Sequence, residues 1–358
     1  MIRGEKTREA QEAIEGAEGT IARILRPVLA SIIIIAMVLS CAITELYAQT
    51  SQRRPDTIEK RLSELEKEVA RLRRETDFYD LSHLPDSLIL CDKKTPLNRD
   101  DIRERFEREM FLFLENKGLL VILIKRYFKY QGLIGEEIKR LSLPSDLVFL
   151  VVIESYLNPR ALSRANAAGM WQFIRETGKR EGLYIDDNID ERYNIKRSTR
   201  SALTHLKKLN EEFNDWFIAM AAYNAGPGRL REAMANQNTK DFFDLFLPEE
   251  TERYIFRIIA IKEAILNRER YGIRIDDKSL YKPVALKEVI IETSKEIHIA
   301  VLSDAMGLPF KAFRDYNLHM RRYRLPKGVY AVNVPSEKVS QFIKNINSYP
   351  HIKVLREK

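Results

Sequence analysis

The sequence predicts a mainly α protein that ends in a small α/β module, and three observations carry the prediction. From Asp100 onward, over about 170 residues, apolar side chains recur at helical spacing. Further on the character changes: "KPVALKEVIIET", Lys282 to Thr293, and "GVYAVNVP", Gly328 to Pro335, are rich in β-branched residues and read as strands. Only two cysteines, Cys41 and Cys91, stand in 358 residues, so apolar cores must hold the chain in place of disulfides or a cysteine zinc site. A 45% hydrophobic composition at this length suffices for two domains. The balance of 60 Lys and Arg against 52 Asp and Glu, net +8, suits an acidic polymer or an anionic surface as neighbour. The charges are interspersed and the Arg-rich, Gly-aromatic signatures of RNA-binding modules are absent, so no nucleic-acid partner is expected.

Residues 1–48 read as an N-terminal membrane or signal segment. "VLASIIIIAMVLSCAIT", Val28 to Thr44, is an uncharged apolar run preceded by Arg23 and Arg26, intermediate between a signal h-region and a membrane span. Five glutamates, Glu5, Glu9, Glu12, Glu15 and Glu18, precede it, which is unlike a signal n-region and leaves a start further in open. Cleavage after Ala48 in "LYAQ" is one processing route, and acylation of Cys41 in "VLSC", which resembles a lipoprotein box, is the favoured one. Either route places the protein outside the cytoplasm, in the periplasm or cell envelope, with the membrane as a partner. Residues 49–80 read as a charged amphipathic stalk helix, with Ile58, Leu62, Leu65, Val69 and Leu72 stepping by four and three. So short a seam is marginal as a coiled coil alone.

Residues 81–275 are expected to form the all-helical domain. A charged helix lies near Asp101 to Asn116. In "SLPSDLVFLVVIES", Pro144 suits a first helical turn and the Asn158-Pro159 pair disfavours helix beyond Tyr156. "STRSALTHLKKLNEEF" sets Ala202, Leu206, Leu209 and Phe213 on one face, with Ser198 as N-cap. "DWFIAMAAYNAGPG" starts at Asp215 and is stopped by Gly226-Pro227-Gly228. In the last segment, residues 276–358, two short helices separate the strands. Thr293 and Glu296 form a capping box for the first, Gly307 closes it, and the second runs from Pro309 to about Tyr316.

One residue stands out chemically. Seven apolar residues, Leu147 to Ile153, lead into a lone carboxylate, Glu154. It sits near the C-terminal end of a buried helix, the negative pole of the macrodipole, where an ionised carboxylate is disfavoured. A raised pKa follows, and with it the ability to hold a proton near neutral pH and give it to a leaving group. The bland reading is a helix surfacing at a glutamate.

Downstream stand "GMWQF" (Gly169 to Phe173), "IDERY" (Ile189 to Tyr193), "AMAAYNAGPG" (Ala219 to Gly228) and "PEETERYI" (Pro248 to Ile255). With Glu154-Ser155 ahead of them, and in this order, these motifs closely resemble the catalytic domain of the goose-lysozyme-like family of lytic transglycosylases, over roughly Leu84 to Gly272. The resemblance implies a lysozyme-like all-helical fold and a role for each matching residue. Glu154 resembles the family's single catalytic acid, and Ser155 the hydroxyl placed near the substrate's N-acetyl group. Met170 and Gln172 resemble groove-lining residues, Tyr223 and Asn224 the pair that contacts glycan around the cleavage point, and Tyr254 the tyrosine that hydrogen-bonds the acid. The chain departs from the family at Ile153, where leucine is usual, and at Tyr193 and Asn194, where Arg-Asp commonly follows Asp-Glu-Arg. The C-terminal part is similar to a LysM glycan-binding fold in "LSDAMGLPFKAFRDYN", Leu302 to Asn317, followed by "LPKGVYAVNVP", without the opening Gly-Asp-Thr.

The implied substrate is the peptidoglycan strand, cut at the β-1,4 bond between N-acetylmuramic acid and N-acetylglucosamine. A lone carboxylate suits that reaction. Ordinary glycosidases need two, whereas in muramic acid the 6-hydroxyl attacks C1 itself, leaving a 1,6-anhydro end. No metal or organic cofactor is expected, since the five histidines, at 83, 205, 298, 319 and 351, show no ligand spacing. Two other readings stay open. A hydrolytic lysozyme of the same fold would need Asp186, Asp187 or Asp190 to activate water, and a non-catalytic wall-binding protein would leave Glu154 unused.

Overall fold

A computed structural model of the chain describes residues 34–45, 55–76 and 84–357. Its contacts divide into two units, Met1–Asp77 and Phe78–Lys358. In the first, residues 34–45 are helical and expose Ile34, Met37, Val38 and Ile43. Among the described residues no helix is long and apolar enough to cross a membrane. The start of the apolar run, both flanking arginines and Ala48 lie outside the described residues. Helix α1 (Pro55–Thr76) occupies the predicted stalk.

The second unit is mostly helical. A short hairpin, β1 (Leu88–Leu90) and β2 (Lys93–Thr95), leads into α2 (Asp100–Glu115), α3 (Lys117–Arg140) and α4 (Leu147–Ser155). Then come α5 (Arg175–Arg180), α6 (Ile195–Phe213), α7 (Trp216–Ala225), α8 (Pro227–Gln237) and α9 (Glu249–Leu266). All seven residues from Leu147 to Ile153 are buried, so α4 has no solvent face and is held between α3 and α9. Pro144 proves to lie ahead of this helix: single turns, such as Leu147 N to Pro144 O at 3.2 Å, lead into it. The helix ends where Tyr156 turns left-handed, φ 54°. Ser198 is likewise not a cap. Asn194 caps α6 by accepting from Arg197 N, and Ser198, one turn inside, returns its hydroxyl to Asn194 O at 2.7 Å. Asp215 caps α7 as predicted, accepting from Phe217 N and Ile218 N, and Gly226 stops it at φ 90°.

The C-terminal part carries its own core, with Val289, Leu302, Phe313, Val332 and Phe342 at its centre. Strand β3 (Leu286–Thr293) is followed by β4 (Ile297–His298), α10 (Ala300–Met306), α11 (Phe310–Tyr316), β5 (Arg324–Leu325), β6 (Gly328–Pro335), α12 (Val339–Ile346) and β7 (Ile352–Glu357). The sheet order is β6-β3-β7, antiparallel throughout, so a third strand joins the expected pair. The predicted capping box does not form. Thr293 ends β3 and donates to Pro326 O, Glu296 accepts from Arg324, and α10 starts only at Ala300. Gly307 does close that helix in the left-handed region, φ 63°.

This part sits directly against the loop that enters α6. Asp190 N donates to His319 O at 2.8 Å, Arg321 N to Asn188 O at 2.6 Å, and Asn333 Nδ2 to Asn194 Oδ1 at 3.2 Å. Arg197 reaches from α6 to Glu288 on β3 at 2.7 Å and also pairs with Glu191. Two of the three departures from the family pattern are part of this contact: Asn194 as above, and Tyr193, whose ring lies 4.3 Å beneath the Arg321 guanidinium.

Candidate active site

Glu154 is the last residue but one of α4, placed by that helix's buried flank and by the left-handed exit at Tyr156. From α9, which packs along α4, Tyr254 donates its hydroxyl to Glu154 Oε1. As a residue Glu154 is half-buried, yet its carboxyl is enclosed by the groups around it, and enclosure is what the charge feels. Burial pushes its pKa up to about 7, against opposing contributions from the Tyr254 hydroxyl and the Arg257 charge, while Glu250 adds to the rise. Burial and the Glu154 charge hold the Tyr254 and Tyr223 hydroxyls far above their ordinary range, so both remain donors.

The other expected residues divide. Tyr223, in the last turns of α7, lies within electrostatic reach of Glu154 and donates to Trp171 O at 2.7 Å, tying α7 to the "GMWQF" turn. Asn224 is half-buried next to it. Ser155 Oγ is buried with no hydrogen-bond partner among the described residues, which leaves a donor and an acceptor for a substrate polar group. Gln172 sits at φ 49° and folds its Nε2 back onto Gly169 O at 2.8 Å. Met170 is a correction: its side chain is 1% exposed and belongs to the helical core, so it lines no groove. The turn is the reason, because a left-handed Gly169 (φ 76°) followed by Met170 points that side chain inward.

Three residues with a part in this arrangement went unremarked in the motif reading. Arg192 is buried and binds Asn166 O at 2.8 Å and Phe173 O at 3.1 Å, with Asp190 neutralising it at 2.7 Å, so it fastens the "GMWQF" turn from behind. Arg257 and Glu250 bracket Tyr254 on α9, one turn to either side, and bias the charge of Glu154. The i, i+3 and i, i−4 spacing on an acid-binding helix is the signal that marks them. Two of the three aspartates of the hydrolytic alternative are engaged elsewhere, and the third, Asp187, is exposed. Asp190 holds Arg192, and Asp186 accepts from Asn188 N, Ile189 N and the Tyr184 hydroxyl. No carboxylate but Glu250 figures among the groups acting on Glu154. Among the described residues no cluster of His, Cys, Asp or Glu has a metal-binding arrangement.

Comparison with known proteins agrees with this geometry. Residues 133–246, which span α4 to α8 and so include Glu154, Gln172 and Tyr223, match the transglycosylase SLT domain. The chain is 32% identical over 255 residues to membrane-bound lytic murein transglycosylase D of Escherichia coli K12, covering 70% of this chain and 55% of that one. A protein of Alteromonas sp. strain M-1 named for tributyltin chloride resistance is 35% identical over 112 residues, 31% of this chain and 54% of that one. A solved structure of an inactive mutant of the lytic transglycosylase Slt from Pseudomonas aeruginosa aligns with 42% of this chain and 26% of that one at 21% identity and a TM-score of 0.33. The chain thus spans about half the length of the curated relatives it matches. Over residues 133–246 the chain thus carries a transglycosylase SLT domain, with Glu154, Gln172 and Tyr223 inside it.

Proposed function

We propose that the protein cleaves the β-1,4 bond between N-acetylmuramic acid and N-acetylglucosamine in peptidoglycan without water, leaving 1,6-anhydromuramic ends. The carrying observation is Glu154: one carboxyl, raised to about 7, held by a tyrosine, with Asp186 and Asp190 of the hydrolytic alternative already bonded and Asp187 not among the groups that act on it. Protonated, it gives its proton to the glycosidic oxygen. As carboxylate it then takes the proton of the muramic 6-hydroxyl as that oxygen closes on C1. Ser155, Gln172, Tyr223 and Asn224 orient the N-acetyl sugars in this reading, and Tyr254 orients the acid.

Digestion of purified murein in heavy-oxygen water tests it. Unlabelled anhydro ends are expected; reducing ends carrying one heavy oxygen would make water the nucleophile. Glu154→Gln keeps the shape and removes the proton, so lysis is expected to fall by about two to four orders of magnitude while adsorption to insoluble murein persists. Near-normal lysis by that variant removes Glu154 from the role.

The domain reading that goes with this assigns residues 81–275 to catalysis and 276–358 to a LysM-like wall-binding module. An exposed aromatic row supports the second part: Tyr323, 67% exposed, stacks on His298 at 6.0 Å and on Phe310 at 5.9 Å, a surface suited to a sugar face. Weaker murein adsorption by Tyr323→Ala is the expected outcome, and unchanged adsorption speaks against it. We place the protein in the cell envelope, held at the membrane through the N-terminal segment, with Cys41, exposed on a helix of exposed apolar residues, as the acylation site. Cys41→Ser is expected to leave the membrane fraction; unaltered fractionation rejects the lipid.

A further inference from the structure

Where the C-terminal sheet faces the loop that enters α6, the two surfaces leave a cleft of about 470 Å³. Tyr184, Asp186, Lys327, Tyr330 and Arg356 are among its walls, and none of its lining residues is a group that acts on Glu154. Most charges here are already satisfied. Asp186 accepts from two backbone N–H groups, at 2.6 and 2.7 Å, and from Tyr184 Oη at 2.9 Å, while Arg197 bridges Glu191 and Glu288. Lys327 and Arg356 differ: both are exposed, and neither has an ion-pair partner among the described residues. Arg356 stands on β7 opposite Ile290 of the central strand, and Lys327 stands immediately before β6, so both cations belong to the sheet side of the cleft. Across from them Tyr184, 58% exposed, presents its ring. At the wall, His319 spends its Nε2 on Ala331 O at 2.9 Å, and burial pushes its pKa down to about 4, so it stays neutral and adds no charge to repel a cation or hold an anion.

Two unpaired cations on one wall and an aromatic face on the other suit a ligand with carboxylates along one edge and flat amide planes along the other. A neutral sugar would leave both cations unused. We propose that this cleft binds a short carboxylate-bearing peptide. Its identity rests on the function proposed above: on that reading the peptide is the stem attached to the muramic acid of a strand, and the cleft is where the chain senses stems apart from the bond it cuts. Exposed charges contribute little singly and are screened, so the interaction is expected to be weak and salt-sensitive.

The test uses the full chain carrying Glu154→Gln, so that nothing is consumed. It is titrated with a soluble stem tetrapeptide and with the same peptide amidated at its carboxyls. Binding of the free acid is expected, with a loss of at least about fivefold on amidation and again in Lys327→Gln/Arg356→Gln, whose exposed positions tolerate the change. Tyr184→Ala, with the charges kept, is expected to weaken both peptides alike. No binding, equal binding of the amidated peptide, or full binding by the double variant overturns the proposal. Cleavage of glycan strands stripped of stems, measured with Glu154 intact, is expected to be the same in the double variant; its loss there would also overturn it. Should the chain with Glu154 intact fail to cleave any glycan while the charge-dependent peptide binding persists, the catalytic reading falls and the cleft stands.

Discussion

At the scale of a single residue, the chemistry turns on how one carboxyl is kept protonated without being made inert. Burial raises the Glu154 pKa, and the Tyr254 hydroxyl opposes it by favouring the anion. The two partly cancel near neutrality, where a group serves best as acid and then as base. Since the acid must start protonated, kcat/KM is expected to fall as pH rises through about 7. Tyr254→Phe removes the contribution that lowers the pKa, so the alkaline limb moves to higher pH. The rate falls by about fivefold for one lost hydrogen bond worth on the order of 1 kcal/mol, far short of the Glu154→Gln loss. A pH–rate profile of the Phe variant checks both signs, and a limb that moves down or stays put would mean that the tyrosine does not act through the carboxyl. Glu154 was legible in the sequence because the apolar run before it leaves no solvent face to explain a surface carboxylate. The size of its pKa shift was not, because Arg257 and Glu250 approach it from a helix about a hundred residues away in the chain.

At the scale of elements, helices and turns were legible to different depths for physical reasons. The cap of α7 was readable since Asp215 stands immediately before the apolar run, and it accepts from Phe217 N and Ile218 N. At α6 two capping residues compete, Asn194 and Ser198, and the one a turn earlier wins because its own carbonyl then receives the serine hydroxyl. The strand β7, "IKVLRE", escaped notice, as its only buried residue is Ile352 and its pairing with β3 is set by tertiary register. The inward turn of Met170 was hidden for a different reason: backbone sign is not written in a motif of side chains. Gly169 gives the sharpest check of that turn. It holds φ 76°, and a Cβ there would lie 2.0 Å from Arg192 O, a backbone atom fixed by the buried Asp190-Arg192 pair. Gly169→Ala therefore has to displace either the turn or the Arg192 loop, at a cost on the order of 3 kcal/mol in unfolding free energy, with Gln172 carried out of place. Denaturant titration beside a lysis assay measures both; a variant with unaltered midpoint and activity would mean that the turn adopts another conformation.

At the scale of the whole second unit, the question is whether the C-terminal module is an attachment or a part of the catalytic body. Its contact with the α6 entry is polar and buried: Glu191 is 5% exposed, Glu288 4%, and Arg197 joins them across the junction. The loop so clamped also contains Arg192, which fastens the "GMWQF" turn, so the module's docking and the groove's geometry share one short stretch of backbone. Two cores linked this way are expected to unfold together. Calorimetry of the intact chain should give one transition for this unit, and two well-separated ones would argue for an independently tethered module. Arg197→Ala leaves two buried carboxylates facing each other without their cation, a loss of about 3 kcal/mol, the lower end for breaking a buried pair because Arg197 is itself partly exposed. The pH dependence has a definite sign. Burial already holds the Glu191 pKa above its ordinary value, with Arg197 among the groups opposing the rise; without Arg197 it climbs further. A carboxyl raised in the folded state binds its proton more tightly there than when unfolded, so stability is lost as pH increases from the unfolded pKa towards the folded one. The Ala variant should therefore be closest to the parent in mild acid and furthest from it above neutrality, with its transition broadened or split as the module comes away first. Scans at several pH values decide the matter, and a destabilisation that shrinks as pH rises would mean that the carboxylates had found another cation.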